Sequence, residues 1–151
     1  MRTFLVSAAL VLGLAPVAFA HCQVPCGIYD DQARLDALEE NIMTIERAMK
    51  MIEDLSDDAD LDYNQIVRWV EAKNDHADDI AHIVSWYFLQ QRVKPVEETD
   101  EARYGAYVHK LTLLHGMLIH AMKAKQTTDL THVVVMKTLL EEFGKAYMAG
   151  K

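Results

Sequence analysis

The chain has 151 residues, and its 15 basic against 23 acidic side chains leave a net charge of −8. That is enough sequence for one domain. The acidic balance argues against nucleic acid or an anionic membrane as a partner, and it says nothing about fold.

The first twenty residues have the parts of a signal peptide in order. Arg2 is a short positive start, Phe4 to Leu14 form an apolar run, and Ala18-Phe19-Ala20 follows the small-x-small rule of signal peptidase. The run is too short, and too soon interrupted by Pro16, to serve as a membrane span. We expect residues 1–20 to be cleaved after Ala20. The mature chain would then be exported, periplasmic or secreted, with no membrane attachment after processing. Losing Arg2 leaves 14 basic against 23 acidic side chains, a mature charge of −9.

Cleavage there makes His21 the first residue of His21-Cys22-Gln23-Val24-Pro25-Cys26-Gly27-Ile28-Tyr29, a stretch holding both cysteines of the chain. A disulfide is the ordinary reading of two cysteines in an exported protein. Here it would close a tiny loop and constrain little of the unfolded chain. The spacing is neither C-x-x-C nor the C-x-x-C-H of haem attachment. A free α-amine, an imidazole and two thiols in one short segment fit a redox metal better. Thiolates are soft, strong donors, and with amine and amide nitrogen from the chain start they make a planar N,S site. Such a plane suits nickel(II) or copper(II) and does not suit zinc, which wants a tetrahedron. The His21 imidazole can then approach as an axial ligand.

From residue 30 to 151 the chain reads as four helices. The first spans about Asp31 to Leu55, with Leu35, Leu38, Ile42, Ile45, Met49 and Ile52 on one stripe. An acidic connector, Ser56 to Asp62, leads to a second helix from about Tyr63 to Gln91. Its stripe is Ile66, Trp69, Ile80, Ile83 and Tyr87, with Lys73 and His76 on the same face. Pro95 breaks the chain. The third helix covers about Glu98 to Lys125, with Tyr104, Tyr107, Leu111, Leu114, Leu118 and Met122 expected inside. Thr128 or Asp129 can cap a fourth helix, about Leu130 to Met148, which buries Val133, Met136, Leu140, Phe143 and Tyr147. Similar lengths and short connectors predict an all-α, antiparallel four-helix bundle carrying an N-terminal hook at residues 21–29.

The hook resembles the nickel-binding hook of the nickel superoxide dismutases, on His21-Cys22-x-x-Pro25-Cys26-Gly27-x-Tyr29. The likeness continues through Asp30, Ala33-Arg34-Leu35 and Asp36-Ala37, and more loosely through Trp86-Tyr87-Phe88. It implies a four-helix bundle assembled as a homohexamer, one nickel ion per chain, and superoxide as substrate. It implies that Cys22 and Cys26 are thiolate ligands and that the His21 amine and Cys22 nitrogen complete the plane, with the His21 imidazole axial. Pro25 and Gly27 would shape the turn, and Tyr29 would guard the open face. The glutamate and arginine that hold the imidazole in that family have their nearest counterparts here in Asp36, reached by deleting one residue, and His76. Tyr87 would be a second tyrosine near the channel. A competing reading is an exported helical module that carries nickel or copper without catalysis.

Other groups receive ordinary readings. Lys73 would run its stem along the core and place its ammonium in water. The methionines, Met43, Met49 and Met51 among them, are core filler. Tyr104 and Tyr107 are core aromatics. His115 and His120 lack i, i+4 spacing, so no second metal site is read from sequence.

Overall fold

The computed structural model describes residues 31–149, so the predicted signal peptide and hook lie outside the described residues. Among the described residues every regular element is helical. Helix α1 is Asp31–Ser56, α2 is Tyr63–His82, α3 is Glu101–Gln126 and α4 is Thr131–Met148. The second helix does not stop at His82. It continues through Ile83–Arg92 as a π-helix, a wider coil in which Val93 N–H donates to the Phe88 carbonyl, five residues back, at 2.8 Å.

Carboxylates set the helix starts. Asp62 accepts from Gln65 N–H at 3.1 Å to begin α2, and Asp100 accepts from Arg103 N–H at 3.2 Å to begin α3. The Asp100 cap is why α3 opens at Glu101 and not at the predicted Glu98. Ahead of α4, Asp129 accepts from Thr131 N–H at 2.9 Å.

Each helix packs on its chain neighbours, and α4 returns to α1, which closes the bundle. The α1 stripe is inside as expected, with Leu38, Ile42, Ile45 and Met49 wholly buried. They meet Ile80, Val84 and Phe88 from the second helix and its π segment, and Val133, Met136 and Phe143 from α4. Gly116 lets α3 approach α4 closely, since a Cβ there would stand 3.0 Å from Leu139 Cδ1. No helix among the described residues is long and apolar enough to cross a membrane.

Three expectations are corrected. The inward face of α3 is Leu113, Leu114, Met117, Ala121 and Ala124, while Met122 is 48% exposed. Apolar side chains stand on every side of this helix, so spacing alone does not choose its face, and packing against α2 and α4 does. Met43 is 58% exposed and fills no core, because it lies on the outward side of α1. Lys73 is buried, and its ammonium is not in water. Its Nζ donates to the carbonyls of Ala124 at 2.5 Å and Lys125 at 2.8 Å. The last carbonyls of a helix have no partner within it, and Lys73 supplies one from α2. Burial, and then the neighbouring Lys125, push its pKa down.

Candidate metal centre and its support

The hook residues His21, Cys22, Pro25, Cys26, Gly27 and Tyr29 lie outside the described residues. The bundle supplies what stands at their exit, because Asp31 is the first residue of α1.

In an up-and-down bundle the start of α1, the end of the second helix and the end of α4 share one end of the molecule. The side chains found there form one polar cluster. Asp31 is 8% exposed, and it accepts a hydrogen bond from the Tyr87 hydroxyl at 2.5 Å. Arg92 Nε stands 3.1 Å from the same carboxylate oxygen, and Arg92 also donates to the Tyr87 hydroxyl at 3.1 Å. The Arg92 guanidinium lies 5.0 Å from the Tyr87 ring centroid and that of Arg34 lies 5.7 Å from it. Tyr147 closes the cluster from α4. Behind it, Phe88, Phe143 and Tyr147 pack with ring centroids 4.9 to 5.4 Å apart.

The electrostatics follow from burial. The Tyr87 phenol is pushed up, first by desolvation and then by its bond to Asp31, with Arg92 opposing. Tyr147 is pushed up further, by burial and then by the Asp31 charge. Both phenols therefore stay neutral at ordinary pH. In this cluster Arg92 pairs with the Asp31 carboxylate, and Arg34 lies over the face of Tyr87. The carboxylate also sits in the first turn of α1, where the helix dipole favours negative charge.

Of the three bundle residues proposed to support the hook, Tyr87 alone joins this cluster. Asp36 is exposed, accepts from Gln32 Nε2 at 2.7 Å, and opens onto a shallow groove with Glu39, Glu40 and Arg47. His76 is half-buried, with Nδ1 2.5 Å from Asn41 Oδ1. At 1.5 Å of rise per residue, Asn41 lies about 15 Å along α1 from Asp31. The three do not form one constellation within the bundle.

Sequence reasoning missed the roles of Asp31, Arg92 and Tyr147. Arg92 follows Tyr87 by five residues, which in an α-helix would put them about 140° apart. The π-helix brings them onto one side, and that wider winding leaves no mark in apolar spacing. Tyr147 was placed inside on its periodicity, but spacing says nothing of what its hydroxyl meets. The antiparallel topology held the clue, since it puts the end of α4 beside the start of α1.

Among the described residues no group of three histidine, cysteine, aspartate or glutamate side chains is arranged to hold a metal ion. No curated protein and no solved structure matches the chain. A family profile described as nickel-containing superoxide dismutase matches residues 16–151, which takes in both cysteines and all four helices. The chain therefore belongs to the nickel-containing superoxide dismutase family, oxidoreductases with nickel as their cofactor.

Proposed function

We propose that the mature enzyme begins at His21 and holds one nickel ion through the His21 amine and imidazole, the Cys22 backbone nitrogen and the thiolates of Cys22 and Cys26. The observation that carries this reading is the family match extending over residues 16–151, across both cysteines of the chain. The donor chemistry fits. Two thiolates with amine and amide nitrogen would make an electron-rich donor set, and the described bundle offers no competing cluster of three donors. When bound, nickel supplies one-electron chemistry between its divalent and trivalent states, which strong anionic donors make accessible. The net reaction converts two superoxide ions and two protons into dioxygen and hydrogen peroxide.

The chain's own residues have distinct tasks. Pro25 and Gly27 shape the turn between the two cysteines. Tyr29 limits access to small anions and orders water. A chain spans at most about 3.6 Å per residue, so Tyr29 is held within about 7 Å of Asp31 and Cys26 within about 18 Å. Asp31, clamped by Tyr87, Arg92 and Tyr147, is thus the fixed post from which the donors extend. The net negative surface would not by itself draw in an anion, so any attraction of superoxide is local to the site. Tyr87, kept neutral, donates its hydroxyl hydrogen bond to Asp31 and so holds that post in place. Asp36 and His76 are the remaining supports proposed for the His21 imidazole, and replacing either would alter how that imidazole is held without removing the metal. Export through the signal peptide and assembly as a homohexamer complete the reading.

The test compares protein whose N-terminus is confirmed as His21 with the same chain extended by one residue. The first should carry about one nickel per chain and show a rhombic nickel(III) electron paramagnetic resonance signal with nitrogen hyperfine splitting. The extension turns the amine into an amide, and turnover should fall by at least ~100-fold, the scale of a lost catalytic group. Full activity in the extended chain would overturn the amine ligand. Copper or no metal in the native protein, with Cys22 and Cys26 disulfide-bonded after nickel reconstitution, would overturn the nickel site itself.

A further inference from the structure

At the other end of α3 two histidines from different helices meet. His120, in the last two turns of α3, and His132, the second residue of α4, place their Nδ1 atoms 3.2 Å apart, with ring centroids at 5.2 Å and planes inclined by 64°. Both rings are half-buried. As a bare pair they can share only one proton, one Nδ1–H donating to the other's lone pair. If both carry their proton on Nε2, two Nδ1 lone pairs are left free side by side.

That separation matches the bite of one metal ion. With metal–nitrogen bonds of ~2.0–2.1 Å, nitrogens 3.2 Å apart subtend about 100° at the metal, between the square and tetrahedral angles. We propose that His120 and His132 form a second, exchangeable site for a borderline divalent cation, zinc or copper(II), with the two Nδ1 atoms as its protein ligands. The surroundings favour the ligand form of the His120 ring. Burial, then the charges of His132 and Lys123, push the His120 pKa down and keep the ring neutral. Asp129 faces His132 and adds negative charge, while Lys123 opposes a cation. No third histidine, cysteine or carboxylate among the described residues joins the pair, so water completes the coordination. Neutral imidazoles and water suit zinc and copper, and two protein ligands make a site that fills and empties with the supply of metal. The pair also ties α3 to α4 across the Thr127–Leu130 turn, so a bound ion would brace that corner of the bundle.

The test titrates nickel-loaded mature protein with zinc, which is redox-silent, and repeats the titration on His132→Gln and His120→Gln. Calorimetry should count one more zinc per chain in the parent than in either variant. Affinity at this corner should fall at least ~10-fold in the variants, since loss of an outer partner alone costs that much. Zinc should raise the melting temperature of the parent alone. The imidazole proton resonances of both histidines should shift together. Equal zinc uptake by the three proteins, or unmoved resonances at saturating zinc, would show that the pair shares a proton and nothing more. His132 sits at a helix start, so His132→Gln keeps the test alive should His120→Gln misfold. The comparison between parent and variants reads the histidine pair whatever the N-terminal donors hold, and so stands apart from the nickel reading.

Discussion

Tyr87 shows how one side chain takes its meaning from its neighbours. Its ring alone would be core filler, but its hydroxyl lies between a carboxylate and a guanidinium, each within hydrogen-bonding distance. Tyr147 shares the same carboxylate. Both phenols are raised above the ordinary value of 10.0, so the folded protein holds these protons where the unfolded chain has lost them. The sign of the pH effect follows. Stability from these groups is fully present below pH 10 and is lost as pH rises through the folded pKa values. We therefore expect unfolding to become easier with every step above about pH 10. Of the six tyrosines, two should resist ionisation in a spectroscopic alkaline titration until the bundle opens. Replacing both Tyr87 and Tyr147 by Phe should remove the late step. If all the tyrosines ionised together in the folded protein, the clamp on Asp31 would be wrong.

At the scale of elements, the four helices and most of their buried faces were readable because apolar residues recur at helical spacing on α1, α2 and α4. The inward face of α3 was not readable, because apolar residues surround that helix and only contact with its neighbours selects a side. The π segment was unreadable for a related reason: it changes the winding without changing the residue types. At the candidate site, the proposed nickel donors stood out in sequence because six fixed positions of the hook pattern follow an expected cleavage signal. The Asp31 post did not, since it is assembled from the start of one helix and the ends of two others. Lys73 belongs to the same class. The sequence shows a lysine on an apolar face, and only the fold reveals that it closes the end of α3. Replacing it by methionine keeps the unbranched stem and removes the desolvation cost of the ammonium, but leaves the carbonyls of Ala124 and Lys125 without their donor. Orphaned acceptors cost about 1–3 kcal/mol each, which outweighs the relief for a charge that already has two good partners. Lys73→Met should lower stability by about 2 kcal/mol in urea unfolding, with the helical spectrum intact. An unchanged midpoint would mean that water reaches those carbonyls.

For the molecule as a whole, the question is what a strongly acidic bundle does with the apolar surface it leaves outside. Tyr63 is 70% exposed and Val67 54%, and they stand four residues apart on α2, so they share one outward face. Leu61, 42% exposed, comes just before them. Single exposed apolar residues are ordinary, but a helical pair with a third beside it is the kind of patch that another chain covers. Repulsion between chains of net charge −8 opposes association, so any assembly must be driven by apolar burial and should tighten with added salt. The hexamer implied by the resemblance predicts a light-scattering mass of six chains for the mature protein. Val67→Glu places a charge in the patch and should lower that mass without altering the helical spectrum, since Val67 contributes nothing to the core. A single-chain mass for the parent protein at all salt concentrations would end the hexameric reading. A hexamer that survived Val67→Glu would move the interface to another apolar face, with Trp86, 50% exposed and stacked on His82 at 5.5 Å, as the next position to charge.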